Sequence, residues 1–124
     1  TVYKRKYDDK GLLLSNSVTE DPGTESQVIS ESKFVYEDGI LQKIETMSNH
    51  SGSKDGSILY YYYDPNGHLC STEFEADRKI LSKSEYSVNE DGLVIQSLYL
   101  EYNPDKNEFE RGGELIFDYE NRNN

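Results

Sequence analysis

Twenty-four carboxylates, two histidines, one cysteine and eleven tyrosines, four of them consecutive, are the side chains through which this 124-residue chain could do chemistry. Glycosidase-type hydrolysis needs two carboxyl groups about 5–10 Å apart across a cleft, one of them held protonated. No spacing here singles out such a pair, because the acids fall mainly in turns. Asp64-Pro65-Asn66-Gly67 and Asp105-Lys106-Asn107-Glu108 offer oxygen ligands without the spaced acids, central glycine and closing glutamate of a calcium loop. His50 and His68 lack the His-x-x-x-His or Cys-x-x-Cys companions that zinc requires. Cys70 stands alone, so no disulfide forms within the chain, and its place between Leu69 and Ser71 predicts a buried, inert thiol. There is no Gly-x-Ser-x-Gly elbow, phosphate-binding glycine loop or dinucleotide fingerprint. Asn49-His50-Ser51 is formally a glycosylation triplet, which carries weight only in a eukaryotic secretory context. The expectation is a chain without catalytic residues, metal or cofactor. A carbohydrate-processing enzyme using an acidic pair is the rival reading.

Tyr60-Tyr61-Tyr62-Tyr63 is the most unusual local feature. A tyrosine ring is apolar with a polar tip and only two torsions to freeze, which suits recognition of sugars or peptides. In a chain without tryptophan, strand tyrosines also serve to fill a thin core. The hydrophobic fraction, 34%, is low for a globular domain and points to such a core.

Net charge is −11, a field that repels phosphate backbones and anionic lipid surfaces. Nucleic acid is therefore not an expected partner. No apolar stretch approaches the roughly 18 residues of a membrane helix, and no membrane insertion is expected. The first residue is Thr1 rather than methionine, and whether a signal peptide or lipid anchor preceded it is left open.

The elements that must position these side chains are marked by glycine. Tyr7-Asp8-Asp9-Lys10-Gly11-Leu12, Tyr36-Glu37-Asp38-Gly39-Ile40, Tyr63-Asp64-Pro65-Asn66-Gly67-His68-Leu69 and Val88-Asn89-Glu90-Asp91-Gly92-Leu93 each end a β-like run at an acidic turn and restart with an apolar one. Glycine supplies the positive φ of a tight reversal while aspartate or asparagine bonds its own backbone. The glycines at 11, 39, 67 and 92 lie 28, 28 and 25 residues apart, about two strands and two turns per unit. Second reversals fall at 20–24, 49–56 and 75–79, another at 103–107, and Gly112-Gly113 predicts a bulge in the last strand. Strands are predicted at about 2–7, 12–18, 27–36, 40–47, 57–63, 68–74, 80–88, 93–102 and 109–119. A short helix over 71–81 has a cap and helix formers but lacks sustained helical spacing, so a hairpin is preferred there. Links this short force antiparallel neighbours. The expected fold is all-β, one domain over 1–124, an antiparallel meander of about nine strands in a single twisted or curled sheet.

The four-residue loops are expected to pair Tyr7 with Leu12, Tyr63 with His68 and Val88 with Leu93, and alternation from those positions sorts the faces. Leu59, Tyr61, Tyr63, Cys70, Phe74, Tyr86, Val88, Leu93, Ile95 and Tyr99 form the expected core face. On the other, Lys4, Lys6, Lys33, Lys43 and Glu45 read as solvated, but Ile58, Tyr60, Tyr62, Leu69, Leu81, Val94, Leu98, Leu100 and Tyr102 make more apolar surface than a monomer usually exposes. Curling that buries both faces, a homo-oligomer interface and a ligand surface compete to explain it. Tyr60, Tyr62, Leu69, Leu98, Leu100 and Tyr102 are the candidate binding residues, with a protein or glycan as partner.

The Tyr-Asp-x-x-Gly-x-Leu rhythm at Tyr7, Tyr36 and Tyr63 resembles the tyrosine-aspartate repeats of large secreted shell-forming proteins and toxins. It is also similar to small exported single-domain proteins of gut Bacteroidales that carry such hairpins. The resemblance covers about residues 3–102, with Glu37 in place of aspartate, Val88 in place of tyrosine and one loop shortened. It implies a hairpin-repeat fold, export to the periplasm, cell surface or medium, often behind a lipoprotein-type leader, and supplies no catalytic residue.

Overall fold

The computed structural model describes residues 1–50 and 53–119, with His50 in its backbone only. Among these described residues nine strands follow one another: β1 (Val2–Tyr7), β2 (Leu13–Glu20), β3 (Val28–Glu37), β4 (Ile40–His50), β5 (Ser53–Tyr63), β6 (Leu69–Ala76), β7 (Lys79–Val88), β8 (Val94–Asn103) and β9 (Glu108–Ile116). They lie in one sheet in chain order, β1 to β9, an antiparallel meander that does not close. Among the described residues there is no helix, and 71–81 forms the end of β6, a turn and the start of β7.

The turns explain the punctuation. Asp8 Oδ1 accepts from the amides of Lys10 and Leu12 at 2.9 and 2.8 Å. Asp64 Oδ1 does the same for Asn66 and His68, and Asn89 Oδ1 for Asp91 and Leu93. In each loop the first residue's amide donates to the fifth carbonyl and the fourth amide returns to the first carbonyl. That fourth residue is Gly11, Gly67 or Gly92, all at positive φ. The shortened loop turns instead on Asp38 and Gly39, φ 52° and 78°, with Glu37 opposite Ile40. Two positive φ values match the twist of a two-residue hairpin. Asp77 and Arg78 do the same at 51° and 63° without glycine.

Two expectations about loops and register change. The described residues on either side of the expected 49–56 loop are paired strand: Met47 pairs with Gly56, Ser48 with Asp55 and Asn49 with Lys54. The expected loop positions Ser51 and Gly52 lie outside the described residues, as do the His50 side chain and part of the glycosylation triplet. Register also slips beside the turns, placing Tyr7 opposite Leu13 and Val88 opposite Val94 rather than the residue before. In β9 the slip falls between the partners of Tyr99 and Leu100, Gly113 and Arg111, so Gly112 is the extra residue of the expected bulge.

The chain divides into two compact units: 1–60 with 74–79, and 61–73 with the chain from Ile80 onward. In the first unit, one face of β3, β4 and β5 carries Ser30, Ser32, Ser48, Thr46 and Ser57, with hydroxyl pairs Ser30–Ser48 at 3.2 Å and Ser32–Thr46 at 3.1 Å. Tyr36 ties its own hairpin to the preceding one by donating to the Leu13 carbonyl at 2.9 Å. In the second unit Tyr102 packs edge-on against Phe109, 5.4 Å between centroids, and Lys83 sits 4.4 Å over the Phe109 ring. Tyr119 donates to the Val94 carbonyl at 2.7 Å.

The expected core face is not buried. Among the described residues no hydrophobic side chain is buried, and Thr72 alone is, at 8% exposure. Phe74, Leu93 and Tyr99 remain 36%, 44% and 39% exposed. Alternation holds along each strand, but the slip beside the turn sets Val88 opposite Val94, two residues expected on different faces. Cys70 is half-buried, its thiol directed to the Tyr62 carbonyl at 3.4 Å.

Candidate functional site

The concave feature of the first unit is built by register. Glu31, Met47 and Gly56 form one cross-strand row of β3, β4 and β5, and Lys33, Glu45 and Ile58 form the next on the same face. Val35, Lys43 and Tyr60 make the third. Strands lie about 4.8 Å apart and rows about 6.7 Å apart, which sets the footprint. Glu75 and Ala76 of β6 and the turn residues Asp77 and Arg78 complete a cavity of about 490 Å³. Met47 lies 49% exposed although it sits on a strand paired on both sides. It leans over Gly56, where an added Cβ would meet Met47 Cε at 3.4 Å, so the missing side chain opens the hollow.

Charge surrounds this apolar centre. Lys43 Nζ lies 3.0 Å from Glu45 Oε1, and the bond to Glu45 followed by its charge raises the lysine pKa above its ordinary value. Tyr60 donates to Glu75 at 3.4 Å, and its phenol is pushed up by burial first and by the Glu75 charge second. Glu31, Lys33, Asp77 and Arg78 form no ion pair among the described residues.

The residues expected to bind a partner are placed differently. Tyr60 belongs to the first unit and faces this charged cluster; Tyr62, Leu69, Leu98, Leu100 and Tyr102 belong to the second. Tyr62 is 42% exposed, while Leu69, Leu98, Leu100 and Tyr102 are half-buried. Leu98 lies between Glu85 and Glu114, and Leu100 between Lys83 and Arg111. Long charged side chains with apolar stems therefore break up the row read as a continuous apolar patch. Tyr102 donates its hydroxyl to Asn107 while its ring meets Phe109. His68 lies 3.6 Å from Asp64 and beside Gly92. Among the described residues no three His, Cys, Asp or Glu side chains group as metal ligands would, and no helix is long and apolar enough to cross a membrane.

Glu31, Met47, Gly56, Glu75, Asp77 and Arg78 were not singled out as a site from sequence. Met47 within an otherwise polar face, and Gly56 inside what proves to be a strand, were the available signals.

Fold and site together define an all-β, open-meander domain with a charged, apolar-floored hollow on one sheet face. Its fold is similar to that of a crystal structure of a protein with unknown function from Bacteroides fragilis, at a TM-score of 0.59 and 12% identity, over 94% of this chain and 92% of that one. No protein-family model matches the chain, and no curated protein matches it in sequence.

Proposed function

We propose that this chain is a non-catalytic interaction or structural domain of the cell envelope, exported and binding a protein or glycan through a sheet face. One observation carries the reading: large apolar side chains such as Met47, Tyr62, Phe74, Leu81 and Tyr99 stand exposed on the strands of an ordered sheet, at 49%, 42%, 36%, 41% and 39%. Apolar surface held in place by a hydrogen-bonded scaffold is what a partner can cover at low ordering cost. Export rests on the tyrosine-aspartate hairpin rhythm, and the fold likeness to a Bacteroides protein is in keeping with a Bacteroidales-type domain.

Glycan-array and protein-interaction assays on the purified chain test it. Binding that Met47→Ser or Tyr62→Ala weakens, with circular dichroism unchanged, supports the reading. Binding indifferent to every exposed strand residue overturns it. Localisation is tested separately, by fractionating cells that express the full natural protein; a cytosolic protein would remove the envelope from the proposal.

The enzyme reading gains one observation, since Glu31, Glu45, Glu75 and Asp77 line the same cavity. A general acid, however, needs a secluded carboxyl group. Glu45 is 41% exposed and held by Lys43, and Glu75 is engaged by Tyr60. A glycosidase screen is expected to show no turnover; turnover abolished by Glu31→Gln or Glu75→Gln would replace the binding reading with catalysis.

A further inference from the structure

We propose that the cavity of the first unit receives a lysine or arginine side chain from a basic, extended protein segment. The inference rests on the interaction-domain reading and names the partner's chemistry.

The cavity presents two kinds of surface to one guest. Its floor is Met47 and Ile58, diagonal neighbours on one face, and Gly56 contributes space rather than a side chain. Methionine is an adaptable contact for varied apolar shapes. Its lining carries four carboxylates, Glu31, Glu45, Glu75 and Asp77, against two cations, Lys33 and Arg78. Glu45 is already paired with Lys43 and Glu75 accepts from Tyr60, but Glu31 and Asp77 have no cation of their own among the described residues.

An apolar floor with acids at its margin matches a side chain made of a methylene stem and a cationic head. The stem covers Met47 and Ile58 while the head bonds a carboxylate, a charge-assisted contact stronger than a neutral one. Other ligand classes fit less well. An anion meets a carboxylate majority and a chain of net charge −11. A saccharide docks best on an aromatic ring, and no residue lining this cavity is aromatic. At about 490 Å³ the hollow lies within the range of small-ligand sites and holds one long side chain with adjoining backbone. Net negative charge also speeds encounter with a basic partner.

The test is fluorescence anisotropy of labelled hexalysine, hexaarginine, hexaserine and hexaglutamate peptides with the full chain at moderate salt. The cationic peptides are expected to bind and the other two not. The double variant Glu31→Gln/Asp77→Asn should weaken binding about tenfold or more, as loss of a charge partner does. Asp9→Asn/Asp105→Asn, with the same change in net charge away from the cavity, should change it less than about twofold. Gly56→Leu, filling the hollow, should abolish binding; if it fails to fold by circular dichroism, the surface double variant decides. Equal losses in the two double variants, or equal binding of hexaserine, overturn the cavity assignment while leaving the interaction-domain reading to its own assays. Absence of cationic-peptide binding overturns the partner chemistry.

Discussion

The ring of Tyr99 lies across the backbone of Gly112: a Cβ on Gly112 would sit 2.8 Å from Tyr99 Cδ1 and 3.2 Å from Cε1. The neighbouring Gly113 has nothing within 4 Å of the same position. Two adjacent glycines in one strand therefore have opposite roles. Gly112 is the bulge residue that lets an aromatic ring cover β9, whereas Gly113 only costs chain entropy.

Gly112→Ala is accordingly expected to destabilise the protein by about 1–3 kcal/mol through overpacking. Gly113→Ala is expected to be neutral or to stabilise by up to about 1 kcal/mol. Urea unfolding of the two variants checks the pair, and equal effects would contradict the described contact.

Asp8, Asp64 and Asn89 each give one oxygen to two backbone amides of their loop. Replacing any of them by alanine leaves both amides without that acceptor and should cost about 1–2 kcal/mol. Asn89→Asp keeps the acceptor and should cost far less. Thermal unfolding of the four variants distinguishes an acceptor role from a charge role.

Asp77 and Arg78 both hold positive φ, at 51° and 63°, where a side chain is disfavoured. Arg78→Gly is expected to raise stability by about 1 kcal/mol, visible as a rise of a few degrees in Tm. Because Arg78 also lines the cavity, this variant separates folding from binding.

Tyr60 and Tyr61 should titrate above the ordinary tyrosine value of 10.0. Burial is the leading cause for both, followed at Tyr60 by Glu75 and at Tyr61 by Tyr63 and Tyr86. A raised folded-state pKa favours the neutral phenol, so its stabilising contribution is complete below pH 10 and is lost as pH rises through the shifted value. Ultraviolet titration should show late-ionising tyrosine absorbance, part of which is absent in Tyr60→Phe. Glu75→Gln should move the Tyr60 transition back toward 10.

Much of the strand layout was legible because its signals are local. A side-chain acceptor at Asp8, Asp64 or Asn89 with a glycine three residues on fixes a reversal whatever surrounds it. The slips at Tyr7–Leu13 and Val88–Val94 were not legible, since an extra residue in a strand changes no residue type. Nor was the cavity, which exists only when β3, β4 and β5 stand in register and bring Glu31, Met47 and Gly56 into one row. Alternation placed Lys33, Lys43 and Glu45 on a polar face correctly. It could not reveal that Met47 opens a hollow among them, or that Phe74 stays 36% exposed.

The chain-order pairing of the nine strands has a consequence for assembly. Each strand finds its mate next door in sequence, so loop-closure entropy is small at every step and contact formation stays local. The molecule can zip up progressively from its N-terminus as it emerges from a ribosome or a translocation pore, needing no distant segment to arrive first. The same locality lets a lineage lengthen or shorten the ribbon by whole hairpins while the remaining ones keep their pairing.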